Sequence, residues 1–351
     1  MSAGRRVVVS RIGADPLATF EQFASIAPMD RPDPIALGRK DVLILIKSAN
    51  VGWVDLIMAA GQYQHVPKPP YTPGLEYAGV VAWAGTEVTD LEPGDRVLVD
   101  GFSVGPRSHG DYQQYGGFAS YGIAPRSAVY RIPGELSFDQ ACNLLGNYET
   151  AYHCLVTRGR VQPGEWVLIH GASGATGLAA VHLAKLLGAR VIATGRSPLK
   201  LEIVRREGAD HTIETSTVAA LRDEVRALTG GKGCDVIYDG VGSELARESL
   251  RCLRFGGRYL IVGWAATPGT AIPIPANLVM MKGVDVLGCP TVISSEHDPS
   301  LRPPRLAQIL EWAGEGKLEP HVSHVFELAD FKLALRAKWS GEVIGGCVVR
   351  P

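Results

Sequence analysis

The sequence is marked first by what it lacks. None of its six cysteines belongs to a C-x-x-C pair, no long run of like charge occurs, and no segment approaches the roughly 18 unbroken apolar residues of a membrane span. Scattered cysteines are typical of reduced thiols rather than of a disulfide framework. Because Lys plus Arg (35) nearly cancels Asp plus Glu (36), no electrostatic surface for nucleic acid or membrane is indicated. A small molecule or a protein is the expected partner.

The amino-terminal stretch also lacks the apolar core of a secretory signal peptide. Its two arginines are followed by only three valines before polar residues return. We therefore expect a cytoplasmic protein.

The sequence does contain enough apolar material for more than one core. At 351 residues and 46% hydrophobic content, two domains are expected. The first 135 residues hold short β-rich runs broken by Gly and Pro, which predicts an irregular all-β unit. From Ser137 onward strands alternate with helical patterns, which predicts a parallel sheet covered on both faces.

The pattern changes again after Gly288. A loop rich in Pro and Ser is followed by a helix near 304–314, a strand near 321–327, a helix near 329–340 and a terminal strand. This tail is too small for a core of its own, so we expect it to pack on the first domain. The predicted domains are therefore 1–136 with 289–351, and 137–288.

The clearest motif lies in the stretch HGASGATG. Ala172, Gly174 and Gly177 form an A-x-G-x-x-G register that follows a strand and opens a helix. Gly174 lets backbone amides meet a pyrophosphate, and Gly177 lets the helix lie close to the strand. The pattern alone also fits a tight turn without ligand, but the further strand–helix units favour a dinucleotide. The intervening amides belong to Ser173, Ala175 and Thr176.

The end of the next strand indicates which dinucleotide is bound. An acidic side chain there would accept hydrogen bonds from a ribose 2′-hydroxyl, but this sequence has Gly195. Arg196, Ser197 and Lys200 follow, and two cations with a hydroxyl suit a 2′-phosphate. Alternatively, Ser197 caps a helix that begins at Pro198, and the cations are solvated. Both can hold, and the missing carboxylate predicts NADPH rather than NADH.

With these residues in view, the chain resembles the zinc-independent quinone oxidoreductase and enoyl reductase branch of the medium-chain dehydrogenase/reductase superfamily. The resemblance runs along nearly the whole chain, through GQYQHVPKPPYTPGLEYAGVV, EPGDRVL, NYETAY, QPGEWVLIHGASGATG, CDVIYDGVG and GGRYLIVG. It implies an α/β fold with a Rossmann-type doubly wound parallel sheet, a GroES-like β-rich catalytic domain formed from both chain ends, and a cleft where the two meet. It also suggests a homo-oligomer, a dimer or a tetramer, assembled through a sheet edge.

Zinc alcohol dehydrogenases are the relatives to exclude. By motif alignment their catalytic ligand positions are occupied here by Gly52, Leu75 and Gly146, whose side chains have no N or S donor for zinc. The four-cysteine structural lobe is replaced by the polar segment SVGPRSHGDYQQY. The pair His321 and His324 lies in a strand-like run, where residues three apart face opposite ways, so we interpret them as ordinary surface or edge histidines.

The absence of zinc ligands at these positions determines which reaction we expect. Without a Lewis acid to stabilise an alkoxide, hydride should flow from cofactor to substrate. The acceptor should delocalise its own charge, as a quinone or an α,β-unsaturated carbonyl does, while the protein aligns the reacting carbons and supplies hydrogen-bond donors. The resemblance thus implies an NADPH-dependent quinone or alkene reductase. The alternative is a non-catalytic NADPH-binding protein of the same fold that docks a partner or binds RNA.

Tyr63, in AGQYQH, is the candidate catalytic residue. It matches a tyrosine that some enoyl reductases of this type place over the substrate, and a phenol is protonated at neutral pH. The alternative is that Tyr63 packs at a domain edge with its hydroxyl on water.

Other candidates come from the strand ends and from NYETAY. Asn147 and Thr150, which neighbour Tyr148, resemble the helix start that borders the nicotinamide, although they could instead cap and pack that helix. Gly242, Gly263 and Trp264 follow later strands, at the edge where open α/β sheets bind ligands, and Trp264 could equally be a packing residue.

Three positions depart from the branch pattern. Gly52 stands where Asn is common, with Trp53 available to fill the space; Thr215 stands where many relatives carry Tyr; and Gly346 stands where a terminal GK offers a lysine. These losses bear on NADPH binding and on the substrate class.

Overall fold

The computed structural model describes residues 4–108, 110–215, 220–265 and 272–351. The chain divides into a first unit, Met1–Gly146 with Ala313–Pro351, and a second unit, Asn147–Trp312. None of the helices in the described ranges is both long and apolar enough for a membrane span.

The helices and strands follow one another along the chain as listed here. Up to the junction of the units they are β1 (Gly4–Val9), α1 (Pro16–Phe23), β2 (Ala24–Met29), β3 (Asp41–Asn50), α2 (Trp53–Ala59), β4 (Tyr77–Ala84), β5 (Arg96–Val99), β6 (Tyr121–Pro125), β7 (Val129–Arg131), α3 (Phe138–Ala141) and α4 (Leu145–Tyr152). The next are β8 (Trp166–Ile169), α5 (Ala175–Leu186), β9 (Arg190–Gly195), α6 (Pro198–Arg206), β10 (His211–Glu214), α7 (Leu221–Leu228), β11 (Cys234–Asp239), α8 (Glu244–Cys252), β12 (Leu253–Ile261), α9 (Ala276–Lys282) and β13 (Asp285–Gly288). The last are α10 (Thr291–His297), α11 (Arg302–Gly314), β14 (Val322–Glu327), α12 (Phe331–Trp339) and β15 (Gly346–Arg350).

The sheet of the first unit combines both ends of the chain. Its order is β14-β15-β3-β4-β5-β7, with β6 also paired to β3. The terminal strand β15 runs antiparallel to β3, with Val348 opposite Asn50, and β14 runs parallel to β15. Of the predicted tail, the part from Ala313 onward therefore lies with the first unit.

Two short helices interrupt the region predicted to be all-β. Helix α1 begins after Asp15, whose side chain accepts a hydrogen bond from the Ala18 amide at 2.7 Å, and Pro16 fills the first helical position. Helix α2 begins after Gly52, whose amide donates to the Asp55 carboxylate at 3.0 Å. Their seven to eight residues are too few for a clear helical period, so the caps decide the structure.

The second unit contains the predicted parallel sheet, in the order β10-β9-β8-β11-β12-β13. All of its pairings are parallel, as expected for strands connected by helices. The carboxyl ends of β8, β9, β11 and β12 therefore share one edge of this sheet. Ligands of open α/β sheets bind at such an edge.

The junctions of the units differ from the predicted domain boundaries. Residues 137–146 lie with the first unit, where Asp139 pairs with Arg350 of the terminal strand. Residues 289–312 lie with the second unit, and α10 forms where the sequence predicts a loop. Glu149 binds Arg302 and Arg305 there, and such long-range ion pairs leave no local signal in the sequence.

Candidate functional site

The glycine turn lies between β8 and α5. Gly174 is the N-cap residue, and a Cβ atom added to Gly177 would lie 2.3 Å from the Gly171 carbonyl oxygen. Gly171 itself has a φ of +61°, so the backbone turns sharply before the helix. The position of Gly177 therefore excludes any larger residue, in agreement with the close helix–strand packing that the motif predicts.

The first turn of α5 can present its amides to an anion. The first amides of any α-helix have no intrahelical acceptor, and the helix dipole adds partial positive charge there. Gly174 is exposed and accepts the Leu178 amide at 2.8 Å, which fixes the start of the helix. Ser173, Ala175 and Thr176 are half-buried around it. Their contact with a pyrophosphate stays a prediction.

The end of β9 carries no acidic side chain. Arg196 is exposed, and Ser197 occupies the N-cap position of α6 with Pro198 at the first helical position. Within the described structure, however, the Ser197 hydroxyl caps no helix amide. The capping alternative is therefore right about the position of Ser197 but not about its hydroxyl, which can still bind a ligand. Lys200 is half-buried one turn further on.

Thr215 supports this strand end from the neighbouring strand. Its amide donates to the Gly195 carbonyl at 2.9 Å, and its hydroxyl donates to the same oxygen at 3.3 Å. The residue that replaces the usual Tyr thus holds β9 in place.

The turn after β11 is organised by a buried carboxylate. Asp239 is 1% exposed and accepts the amides of Val241 at 2.8 Å and Gly242 at 2.9 Å. The hydroxyl of Tyr259 also donates to it. Gly242 has a φ of +72°, a conformation that favours glycine. Asp239 therefore fixes one of the predicted cofactor turns.

Gly263 and Trp264 follow β12 beside that turn. The Gly263 amide donates to the Asp239 carbonyl at 3.2 Å. The Trp264 side chain is 54% exposed, so the alternative that it serves as a buried packing residue is not what the structure shows. Its contact with a cofactor stays a prediction.

Helix α4 is anchored on its buried side. The Tyr148 hydroxyl lies 2.7 Å from His182 Nδ1, and Glu149 binds the guanidinium groups of Arg302 and Arg305 at 2.9–3.2 Å. The two predicted cofactor residues of this helix are half-buried and share its other face, three residues apart: Asn147 and Thr150.

Tyr63 lies in the segment after α2, in the first unit. Its side chain is half-buried, and its ring centroid lies 5.9 Å from that of His65, with the two rings tilted by 53°. This placement is compatible with either a catalytic or a packing role, so the role of Tyr63 stays a prediction.

Two buried carboxyl groups lie beside Gly52 and Gly146, two of the positions that align with zinc ligands. A Cβ atom at Gly52 would lie 3.0 Å from Asp55 Oδ2, and one at Gly146 would lie 2.8 Å from Glu76 Oε1. Asp55 accepts the amides of Gly52 and Gly74 at 3.0 and 2.8 Å. A cysteine at either ligand position would therefore meet a carboxylate.

Glu76 is held in the same way. Its carboxylate accepts the Gly146 amide at 2.6 Å, and Asn50 Nδ2 donates to it at 3.4 Å. Burial raises the pKa of Glu76 to about 7, against the opposing effect of the Arg107 charge. Burial likewise raises the pKa of Asp55 to about 6, although the Gly74 and Gly52 amides oppose the shift. Both groups can therefore carry a proton near neutral pH.

The other departures from the branch pattern also have steric explanations. Trp53 stacks on Trp339, with centroids 4.8 Å apart and planes at 10°, so it is Asp55 rather than Trp53 that lies against Gly52. A Cβ atom at Gly346 would lie 2.7 Å from the Asn143 side chain, which leaves no room for a lysine there.

The described residues hold no group of three or more His, Cys, Asp or Glu side chains that could bind a metal ion. His324, on the edge strand β14, bonds to the hydroxyl of Ser323 at 2.8 Å. The interpretation of His321 and His324 as edge histidines agrees with this placement.

Family models match both units. Residues 38–134 match the alcohol dehydrogenase GroES-like domain, and residues 175–300 match the zinc-binding dehydrogenase family. The chain is 36% identical over 314 residues to the quinone oxidoreductase-like protein 2 homolog of Nematostella vectensis, covering 88% of this chain and 82% of that protein. The chain belongs to the medium-chain dehydrogenase/reductase superfamily. Its relatives are quinone oxidoreductase-like proteins, which confirms the branch that the sequence predicts.

Solved structures share the fold of this superfamily over nearly the whole chain. An NAD-dependent alcohol dehydrogenase superposes with a TM-score of 0.84 at 29% identity, covering 99% of both chains. The Escherichia coli quinone oxidoreductase complexed with NADPH superposes with a TM-score of 0.79, covering 99% of this chain and 100% of that one. At 23% identity the second comparison shows the fold alone. The predicted fold class is confirmed, and the protein is an oxidoreductase. Its fold is shared by an NAD-dependent enzyme and by one solved with NADPH.

Three buried acidic residues of this medium-chain oxidoreductase are not predicted as site residues by the sequence. Asp55, Glu76 and Asp239 are buried, and their partners lie at sequence separations from two residues up to seventy. Glu76 and Asp239 lie inside two stretches that carry the family resemblance, PGLEYAG and CDVIYDGVG, but nothing in those stretches indicates their buried hydrogen bonds. The one available signal is that each is an acidic residue inside an otherwise apolar stretch.

Proposed function

We propose that the protein is an NADPH-dependent reductase that transfers hydride to a quinone or to the activated C=C bond of an α,β-unsaturated carbonyl, without zinc. The end of β9 carries this proposal. There Gly195 replaces an acidic side chain, Arg196 is exposed, and the Ser197 hydroxyl caps no helix amide within the described residues. A carboxylate at this point would repel a 2′-phosphate, whereas a guanidinium and a hydroxyl bind it.

The residues around the glycine turn fit the rest of such a cofactor. The amides at the start of α5 suit the pyrophosphate, and the crowding at Gly177 keeps the helix start close to the sheet edge. The Asp239 turn presents Gly242, and Gly263 and Trp264 follow the neighbouring strand. Asn147 and Thr150 are the proposed contacts on α4.

The donor set of the first unit does not fit zinc. Gly52, Leu75 and Gly146 supply no ligand, and the nearby carboxyls of Asp55 and Glu76 already accept backbone amides. A protonated carboxyl stabilises an alkoxide far less than a divalent cation does. The proposed acceptor must therefore stabilise its own charge.

The proposed reaction requires only a few groups from the protein. Bound NADPH supplies a hydride. The chain then has to hold the acceptor in line and place a hydrogen-bond donor at its carbonyl oxygen, which acquires negative charge. Tyr63 is the residue that we propose for this donor, through its phenolic hydroxyl.

We also propose that the protein is a homo-oligomer. Strand β13 is the edge of its sheet, and large apolar side chains are exposed on β12 and α9, at 66–76%: Phe255, Met280 and Met281. Exposed apolar groups beside an unpaired strand favour association with a second copy. Light scattering of the purified protein tests this, and a monomer at micromolar concentration would contradict it.

The function is tested by following the oxidation of NADPH and NADH with a panel of quinones, enones and primary alcohols. We expect quinones or enones to be reduced with NADPH in preference to NADH. An Arg196→Ala variant should lose about tenfold in kcat/KM for NADPH but little for NADH, because one charge-assisted contact is removed. Binding of NADPH without oxidation by any acceptor would favour the non-catalytic alternative.

A further inference from the structure

A buried histidine links the two segments that the proposed cofactor would contact. His170 directly follows β8 and is 1% exposed. Its Nδ1 lies 2.8 Å from the hydroxyl of Thr194, near the end of β9, and its Nε2 lies 2.7 Å from the hydroxyl of Ser249 on α8. Both hydroxyl residues are buried as well. One ring therefore joins three elements beneath the glycine turn.

The direction of these hydrogen bonds follows from proton counting. The Ser249 hydroxyl donates its single proton to the Leu245 carbonyl at 2.6 Å, so it can only accept from His170 Nε2. Burial lowers the pKa of His170, although the charge of Asp239 opposes this, and the ring is therefore neutral. The unprotonated Nδ1 then accepts the hydroxyl proton of Thr194. In this series of hydrogen bonds, from the Thr194 hydroxyl through His170 and Ser249 to the Leu245 carbonyl, both ring nitrogens and both hydroxyl groups have partners.

Thr194 also holds the glycine turn through its backbone. Its carbonyl oxygen accepts the Ala172 amide at 3.1 Å, while its side chain bonds to His170 on the other side of Gly171. The turn is thus fastened to β9 at two points, immediately before Gly195. These bonds set the spacing between the helix amides that suit a pyrophosphate and the residues that suit a 2′-phosphate.

We propose that His170 is a positioning residue for the cofactor, and that its hydrogen bond with Thr194 sets the preference for a 2′-phosphorylated nucleotide. The inference rests on the proposed function, because the preference itself belongs to that proposal. His170 touches no cofactor in this account. It acts through Thr194, which keeps Arg196 and Ser197 at the right distance from the glycine turn.

Two variants of His170's partners separate positioning from a merely structural role. Thr194→Val removes one hydroxyl at nearly constant volume, on the strand that leads to Arg196. Ser249→Ala is the matched control, because it removes the other partner of the same ring on a helix that carries none of the proposed 2′-phosphate residues. The probes are 2′,5′-ADP and 5′-AMP, titrated calorimetrically against the full-length protein, with thermal unfolding measured in parallel.

The readout is the ratio of the two dissociation constants, Kd for 5′-AMP over Kd for 2′,5′-ADP. Thr194→Val should lower this ratio by about three- to tenfold, the factor for losing one hydrogen bond. Ser249→Ala should keep the ratio within about twofold, whatever its unfolding temperature. Should Thr194→Val fail to fold, His170→Leu removes the acceptor instead and should lower the ratio equally.

Two results would overturn the inference while leaving the proposed function intact. One is a wild-type preference for 2′,5′-ADP that Thr194→Val and His170→Leu both preserve. The other is an equal fall of the ratio in Thr194→Val and Ser249→Ala, since a general loss of packing would then explain it. A wild-type protein that binds both nucleotides equally would instead overturn the proposed NADPH preference, and with it this inference.

Discussion

The candidate positions of the two units differ in chemistry: the first unit presents buried carboxyl groups, and the second presents hydrogen-bond donors. In the first unit, the carboxyls of Asp55 and Glu76 lie against Gly52 and Gly146, at positions that align with zinc ligands, and burial raises their pKa values to about 6 and about 7. In the second unit, the sheet edge gathers donors, with the amides at the start of α5 and the exposed Arg196. The first position presents carboxyl groups that take up protons near neutral pH, while the second presents hydrogen-bond donors and a positive charge. The difference teaches that the positions aligned with zinc ligands and the glycine turn depart from or keep the family pattern independently of one another.

The largest expected effect tests whether the first unit supplies a proton donor. Tyr63→Phe should lower kcat with an enone by about a hundredfold, because a general acid contributes at least that much. The Kd for NADPH should be unchanged. Tyr121→Phe, which alters a half-buried tyrosine of the same unit, is the control. Equal losses of turnover and of NADPH binding would assign Tyr63 to packing.

The next prediction concerns the buried carboxyl of Glu76. Its pKa rises on folding from 4.5 to about 7, so between these values the unfolded chain releases a proton that the folded chain retains. Stability should therefore fall as pH rises from about 4.5 to 7 and stay level above. Glu76→Gln removes this loss, and should stabilise the protein at pH 8 by on the order of 2–3 kcal/mol, with the gain vanishing near pH 4.5.

Urea unfolding at several pH values measures this gain. Glu87→Gln, at a glutamate whose side chain is 43% exposed, is the control and should change stability by less than about 1 kcal/mol. A Glu76→Gln variant that is less stable than wild type at pH 8 would show that folding favours the ionised carboxyl, so that its pKa is not raised, and the contrast between the units would fail.

The smallest expected effect comes from a substitution in the glycine turn of the second unit. Gly177→Ala places a methyl group 2.3 Å from the Gly171 carbonyl oxygen, so the helix must shift at a cost of about 1–3 kcal/mol. We expect NADPH affinity to fall by about tenfold or more, measured by fluorescence titration. Gly288→Ala is the matched control, since an added Cβ there meets no atom within 4 Å. If Gly177→Ala binds NADPH as tightly as the wild type does, the glycine turn is not part of the cofactor site.

The sequence predicts those parts of the protein that depend on neighbouring residues. The strand, turn and helix around Gly177 can be predicted because their residues are close in sequence, and because a side chain larger than that of glycine would clash at this position. The parallel sheet follows from the alternation of strands and helices. The Pro and Ser residues after Gly288 predict a loop, but the seven residues of helix α10, less than two full turns, form there.

Residues that act through distant partners could not be predicted in this way. Glu76 bonds to Gly146 across seventy residues, and His170 bonds to Ser249 across seventy-nine. Nothing in a local pattern marks either contact. The sequence shows that Gly346 replaces a lysine, but the steric reason, the Asn143 side chain, lies on a different stretch of the chain.

The central claim, hydride transfer without a metal, is tested most directly by measuring NADPH oxidation with a quinone or enone before and after exhaustive chelation. The account predicts the same kcat in both samples and no stimulation by added zinc. Loss of turnover on chelation, restored by stoichiometric zinc, would contradict it.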